Sequence, residues 1–442
     1  MRFFRPVSVA VLALAMSSAH SADLLTLYRE AATQDPAVAS AQASLLAARE
    51  RVAQAEAANG FAAGVNAGAN ANYFDAHARG FSSANTDRGY LTASVSAYVN
   101  KPLIRPALWV AIEQAKASLT LFEVSLAAAQ MDVATRLSQA YFDVLLGQDN
   151  LTLVQAQKAA VGEQLAQAKR NFEVGTATIV DTNEAQARYD QVIAQEIAAN
   201  NEVERTRYAL RNVVGRYESN LKRLRTNAQV PAPNPSNMDA WVSRAETEAF
   251  GVRIAQQTLA IAEYDIKRAQ TGKDWTLDAS ASVAHSQSTG STATGTGTWS
   301  NSGVIGVTFN WPFDISGGVN ARIRETLALV DKNRNDIEAA RRSASLGVRQ
   351  SYLGVTSGVA SIAAQQQALK SAETLLASTK LGLEVGVRTN LDVLNAQQQV
   401  TQVQRDLALA RYNALLNDLR LKAATGVLSE DDLRATNAYL TD

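Results

Sequence analysis

The chain has 442 residues, with 42 basic and 42 acidic side chains, no cysteine and only 6% aromatic residues. The balanced charge argues against nucleic acid as a partner, and the lack of cysteine excludes disulfides and a lipid carried on an N-terminal cysteine. Abundant Ala and Gln with few aromatics are typical of long, closely packed helices.

The first 22 residues are predicted to be a secretory signal peptide. Two arginines precede an apolar run from Val7 to Met16, and small residues follow up to Ala22. The run is too short to span a membrane, and no later stretch is predicted to be a transmembrane helix. Without residues 1–22 the chain loses two basic residues and no acid, so the mature chain is expected to carry a net charge of −2.

The first half is predicted to begin with a helix and two strands. Residues 24–58 are helical, with an early interruption at Pro36. Apolar and small polar residues then alternate over 61–73 and again over 91–99, which indicates strands with one apolar and one wet face. Pro102 is expected to end the second strand, since proline cannot continue a central strand.

The second half is predicted to repeat this order. Residues 239–272 are helical, and alternating patterns over 275–283 and 305–311 indicate two further strands. Between them lies a Ser/Thr/Gly-rich loop, 286–303, expected to be the most flexible stretch of the chain. Pro312 is expected to end the second hairpin.

Each hairpin is followed by a long predicted helix. Proline is absent from the interior of 106–173 and of 319–384, and apolar residues in the first recur at the spacings of a coiled-coil seam. At about 1.5 Å per residue such a helix is on the order of 100 Å long. Shorter helices are predicted to return over 180–222 and 391–424, and a Pro-rich linker, 231–235, joins the halves.

One sequence pattern occurs twice in the chain. Residues 141–215 align with 352–426 at a constant offset of 211, without a gap. Each repeat contains Glu-Val-Gly-x-x-Thr-x-x-Asp, at 173–181 and again at 384–392. Self-similarity at this scale indicates two copies of one large structural unit.

The strands predict an assembly of several chains. Four strands cannot close a barrel alone, because the smallest membrane barrels need about eight. An exported chain with interfacial aromatics fits an outer-membrane barrel, and three chains would supply twelve strands. The predicted fold class is α+β, in which the long helices would extend the tube on the side of the strand ends that carry them. The aromatics in question are Phe61, Tyr73, Tyr90, Tyr98, Trp275, Trp299 and Trp311.

The predicted organisation follows from these elements. It comprises the signal peptide (1–22), a helix (23–58), the first outer-membrane β-hairpin (59–101), a long and a returning helix (102–226), the linker (227–238), a helix (239–273), the second β-hairpin (274–313), a second long and returning helix (314–426), and a C-terminal equatorial tail (427–442).

With this layout the chain resembles the TolC family of outer-membrane channels, used in efflux and type I protein secretion. The resemblance covers essentially the whole mature chain and is carried by the duplication, the Pro-ended hairpins and the two Glu-Val-Gly turns. It implies a homotrimeric passive exit duct in the outer membrane, with a 12-stranded transmembrane β-barrel (four strands per protomer) that contacts outer-membrane lipid and is continued by a long periplasmic α-helical barrel. The implied partners are a periplasmic adaptor (membrane fusion protein) and an inner-membrane transporter.

The resemblance also implies a gate at the second turn. Asp392 matches the acidic ring residue of the periplasmic constriction, and Asn395 stands where many members have a second acid. Leu383 stands where well-studied members have a tyrosine of the latch. Arg388 matches the latch arginine, whose implied partner is Asp181 of a neighbouring chain. These departures predict a weaker acidic ring and a less tightly latched closed state.

A second interpretation of the turn residues is purely local. Thr178 and Thr389, each followed by an acid three positions later, match a capping box, and Gly175 and Gly386 match the glycine that ends a helix. The hairpins alone would favour these residues. Since a rigid tip is what an adaptor would grip, the same four residues are the candidate adaptor contacts.

Other functional classes stay open at this point. An exported coiled-coil structural or adhesive protein without a pore would explain the helices but not four alternating strands. A periplasmic adaptor would normally carry one hairpin inside a β-rich body. No motif favours an enzyme, a cofactor or a metal site. The pattern does not distinguish between secreted protein, drugs and metals as cargo, nor which pump and adaptor are used.

Overall fold

The computed structural model describes residues 22–76, 86–225, 230–291 and 295–441, so the predicted signal peptide up to residue 21 lies outside the described residues. Among the helices it describes, none is long and apolar enough to cross a membrane. In chain order the elements are α1 (Leu24–Gln34), α2 (Pro36–Ala58), β1 (Ala62–Ala76), β2 (Thr86–Ile104), α3 (Pro106–Glu173), α4 (Ile179–Val214), α5 (Met238–Glu248), α6 (Phe250–Gln270), β3 (Thr276–Ser288), β4 (Thr298–Asn310), α7 (Gly318–Glu384), α8 (Asn390–Ala424) and α9 (Glu430–Asn437).

The four strands form one antiparallel sheet in the order β1-β2-β3-β4. The register places apolar positions side by side, because Val65 pairs with Ala97 and Ala97 pairs with Val283. The alternation predicted from the sequence is confirmed, and its apolar members are exposed in the single chain: Val65 is 72% and Ile305 91% exposed. In the described part of the chain, β1 and β4 each have one neighbouring strand and so form the two edges.

The expected end of the second strand at Pro102 is wrong. Strand β2 continues to Ile104, with a register shift between these two residues on the β3 side. Its pairing with β1 already stops at Asn100. Beyond that point β2 has a partner on one side, so a residue without an amide hydrogen is tolerated there and the bulge absorbs it.

The second hairpin is more regular than predicted. Strand β3 extends to Ser288 and β4 begins at Thr298, so the ends of the predicted loop 286–303 are strand, and residues 292–294 lie outside the described part. Trp275 and Trp311 directly flank these two strands instead of belonging to them.

Two helix predictions also needed correction, and one helix was not predicted. Helix α4 ends at Val214 instead of residue 222, because Gly215 adopts a left-handed conformation with φ 88° and its N–H donates to the Arg211 carbonyl. The helix predicted over 239–272 is two helices, separated at Ala249, whose ψ of 134° is extended. The tail contains α9, which Ser429 caps with a reciprocal bond to Asp432.

The chain divides into two compact units. One comprises Met1–Ala39, Ala129–Ala245 and Ser345–Asp442, and it contains both turns between a long and a returning helix. The other comprises Ser40–Ala128 and Glu246–Ala344, and it contains the sheet.

The first unit has an aromatic core between α3 and α8. The rings of Phe142 and Tyr412 lie 5.9 Å apart, and Tyr141 packs edge-on against Phe142. All three side chains are at most 4% exposed. The Tyr412 hydroxyl donates to Asp149 at 2.6 Å, which joins the two repeats by a bond within their core.

Candidate functional site

The first tip, residues 174–178 between α3 and α4, is a tight glycine turn. Gly175 has φ +81°, a conformation that costs a residue with a Cβ roughly 1–2 kcal/mol. The amide of Thr176 donates to the Asn171 carbonyl at 2.8 Å, and the amide of Val174 donates to Arg170 at 3.1 Å. These bonds satisfy carbonyls that the end of α3 would otherwise leave open.

The second tip, residues 385–389 between α7 and α8, repeats this geometry. Gly386 has φ +82°, and the amide of Val387 donates to the Gly382 carbonyl at 2.9 Å. The amide of Gly386 donates to the carbonyl of Leu383, the half-buried residue predicted at the latch. The duplication of the sequence is therefore a duplication of backbone structure.

Both returning helices begin with a complete capping box, as the local interpretation predicts. Asp181 Oδ2 accepts from the amide and hydroxyl of Thr178 at 2.8 and 2.7 Å. Asp392 Oδ2 accepts from the amide and hydroxyl of Thr389 at 2.9 and 3.0 Å. In each cap both bonds go to the same carboxylate oxygen, Oδ2. The acid can therefore keep its cap and also contact another residue through its second oxygen.

The caps favour the ionised form of both acids. The hydroxyl and then the amide of Thr178 lower the pKa of Asp181. The amide and hydroxyl of Thr389 lower the pKa of Asp392, and the charge of Arg388 adds to this effect. The second tip thus combines an anion and a cation close together, while the first has Ala177 at the position equivalent to Arg388.

Arg388 is exposed, but its stem has a defined seat on α7. A Cβ built on Gly382 would lie 2.7 Å from Arg388 Cγ and 3.3 Å from its Cβ, so the arginine stem lies directly on this glycine. The equivalent residue of the first repeat is Asn171. The second repeat therefore has a glycine and an arginine at the two positions where the first repeat has Asn171 and Ala177.

Asn395 lies on α8 and is bound by a residue that the sequence analysis missed. Its Oδ1 accepts from Arg188 Nη2 of α4 at 3.0 Å. The preceding residue, Leu394, is buried in a small apolar cluster of α3 and α4 side chains. Asn395 itself is exposed beside this cluster.

The structure therefore brings some predicted residues together and leaves others apart. Arg388 and Thr389 lie in the second tip, and Asp392 lies directly after it in the first turn of α8. In the described part of a single chain no ion pair joins Arg388 to Asp181, whose predicted pairing is between chains. Gly382 and Arg188 were missed, although comparing the repeats position by position would have marked both as places where the copies differ.

Comparison with known proteins assigns the chain to a family. The family model for outer membrane efflux proteins matches residues 27–216 and 241–427. The chain belongs to the outer membrane efflux protein family. Its expected membership is thereby confirmed, and this efflux protein is an outer-membrane channel protein from a family of ducts rather than of enzymes.

Curated relatives extend over nearly the whole efflux protein. It is 31% identical to outer membrane protein TolC of Escherichia coli over 100% of this chain and 90% of the relative. It is 30% identical to outer membrane protein TolC of Vibrio cholerae, over 98% and 97% of the two chains. The alkaline protease secretion protein AprF of Pseudomonas aeruginosa is 29% identical over 80% and 73%.

Solved structures share the fold at lower identity. The outer membrane protein VceC of Vibrio cholerae superimposes with a TM-score of 0.74, at 18% identity over 91% of this chain and 96% of that one. The CmeC outer membrane channel of Campylobacter jejuni gives a TM-score of 0.77, at 13% identity over 95% and 90%. The predicted mixed fold, a small sheet with long helices, is that of these channels.

Proposed function

We propose that three copies of this chain form one outer-membrane duct, with each protomer supplying four strands of a common barrel. The observation that carries this proposal is the four-stranded sheet with two open edges in a chain of the efflux family. A strand edge has unpaired amides and carbonyls, and closure into a barrel satisfies them all. The exposed apolar face of the sheet then contacts outer-membrane lipid.

The periplasmic end of this duct is gated at the second tip. Asp392 of each protomer contributes to an acidic ring, which favours cations near the pore axis. Arg388 pairs with Asp181 of the neighbouring protomer and latches the closed state. The exposure of Arg388 and its fixed seat on Gly382 support this role, since both leave the guanidinium available to another chain.

The two tips are the contact surface for a periplasmic adaptor. Gly175 and Gly386 have nothing within 4 Å of the position where a Cβ would be, so both turns present bare backbone. Thr178 and Thr389 hold the following helices rigidly in place by their caps. Through the adaptor the duct is joined to an inner-membrane transporter.

The cargo class is that of an efflux pump or of type I protein secretion. Relatives named for protease secretion and for efflux both align with most of this chain. Deleting the chromosomal gene and measuring, in parallel, secreted protein and drug susceptibility distinguishes between these two roles.

Two measurements test the duct. The mature chain is expected in the outer-membrane fraction as a detergent-extracted, heat-resistant trimer, and the purified trimer is expected to conduct ions in planar bilayers. A soluble periplasmic monomer would contradict the duct and support the alternative of an exported coiled-coil structural protein.

A further inference from the structure

Helix α8 packs against the α3–α4 hairpin close to the second tip. Leu394 is 3% exposed and is the one α8 member of an otherwise α3–α4 apolar cluster: Val154, Val161 and Val192. The next residue, Asn395, is exposed and accepts the 3.0 Å bond from Arg188. An apolar contact and a polar bond thus join α8 to the hairpin side by side.

Arg188 is held in position for this bond. Its second terminal nitrogen, Nη1, donates to Gln191 Oε1 at 3.0 Å, less than one turn further along α4. The adjacent Tyr189 packs against the apolar cluster, and its Cε2 lies 3.3 Å from where a Cβ on Gly162 of α3 would be. Because α4 is fixed on α3 here, the planar guanidinium reaches α8 from a rigid base.

The bond does not follow from the internal symmetry. At the offset of 211, the counterpart of Arg188 is Gln399, and the counterpart of Asn395 is Glu184. The equivalent contact with the two repeats in exchanged roles would place a glutamine opposite a glutamate, with no cation. The bond belongs to one particular junction of the two repeats, the one within a protomer.

A second polar bond joins the repeats further along α8. The Tyr412 hydroxyl donates to Asp149 Oδ2, and Tyr412 is 4% exposed. Breaking this bond would leave a polar group buried without a partner, which is costly. At the exposed Asn395, water can replace the lost partner, so the bond from Arg188 breaks more easily.

We infer that the Arg188–Asn395 bond is a releasable fastening of the gate, which forms within each protomer and breaks when the gate opens. The Asp149–Tyr412 bond stays intact during opening and serves as the pivot. This inference rests on the proposed gate at the second tip. In the closed state the beginning of α8 is held against α4 from inside the protomer, while Arg388 acts between protomers. Release of Asn395 lets the beginning of α8 move away from the α3–α4 hairpin.

Planar-bilayer conductance of the purified trimer tests the fastening. Arg188→Ala and Asn395→Ala are each expected to raise the mean conductance about two- to five-fold, the size expected for loss of one exposed hydrogen bond. The double variant is expected to match either single variant, because one bond is lost in all three. Asn395→Asp keeps a partner for Arg188 and is expected to stay at or below the native conductance.

The matched control is Arg205→Ala on the same helix. Arg205 is exposed and pairs with Glu202 within α4, so its loss is expected to leave the conductance unchanged. Retention of the heat-resistant trimer in every variant shows that assembly is intact. Additive effects of Arg188→Ala and Asn395→Ala, or none, would overturn the fastening.

Arg388→Ala, measured in parallel, separates this inference from the gate itself. If Arg388→Ala raises the conductance and the two fastening variants do not, the gate stands and the fastening is wrong. If none of the three changes it, both are wrong.

Cross-linking provides an independent check, since the chain has no cysteine. Arg188→Cys with Asn395→Cys, joined by a short bis-maleimide, is expected to keep the conductance low in an Arg388→Ala background. A cross-linked channel that conducts as freely as the uncross-linked one contradicts the inference.

Discussion

Gly382→Ala is expected to loosen the gate without unfolding the protein. The new Cβ would lie 2.7 Å from Arg388 Cγ, whereas ordinary contacts begin at 3.4 Å, so the arginine stem must leave its seat. Forcing such a side chain off its rotamer costs about 0.5–1.5 kcal/mol. Gly382 lies within α7, where alanine is favoured over glycine by up to about 1 kcal/mol. The two contributions are of similar size and opposite sign, so stability changes little.

Two assays on the same preparation separate these effects. The temperature at which the trimer loses heat resistance is expected to stay nearly constant, while the planar-bilayer conductance rises toward that of Arg388→Ala. In an Arg388→Ala background, Gly382→Ala has no long stem to displace and is expected to change the conductance no further. An unchanged conductance in the single variant, or a full additional rise in the double variant, would refute the role given to this glycine.

Three further predictions concern charge and caps in the first unit. Because the cap lowers the pKa of Asp392, the stabilisation that the cap provides is fully present above the ordinary aspartate pKa of 3.8 and is lost as the pH falls through the lowered pKa. When the conductance is measured across this pH range, the channel is expected to lose its preference for cations at the acid end. Asp35, which is 3% exposed, caps α2 and accepts from an arginine, so Asp35→Ala is expected to destabilise by at least about 2 kcal/mol in thermal melts, and Asp35→Asn, which keeps the cap, by less. Tyr412→Phe removes the hydroxyl partner of the half-buried Asp149 and is expected to cost about 1–3 kcal/mol in the same assay, with little effect on conductance.

The turns and helix starts could be predicted because their chemistry is local. A threonine with an acid three residues later and a glycine before it determine each tip within nine residues, and both capping boxes formed as expected. The sheet's apolar face was predictable for the same reason, since alternation alone defines it.

The errors arose where the end of a strand or helix depends on parts of the chain that are distant in sequence. Pro102 lies inside a strand because pairing with β1 stops at Asn100, and the sequence near the proline does not contain that information. Likewise, the separation of α5 and α6 falls at Ala249, which is a good helix former, while the nearest glycine, Gly251, lies inside α6.

In the candidate site, too, the local features were predicted and the long-range contact was not. Arg388 and Asp392 were predicted from one motif. The bond from Arg188 to Asn395 joins residues 207 positions apart, so it required the packed helices to be known.

The central claim is a trimeric duct closed at the second tip, and single-channel conductance of the purified protein tests it most directly. Native protein is expected to form pores of low conductance, Arg388→Ala and Asp181→Ala each to raise it, and Arg342→Ala, which removes an exposed arginine paired within α7, to leave it unchanged. Absence of pores, or equal conductance in all four proteins, would contradict the account.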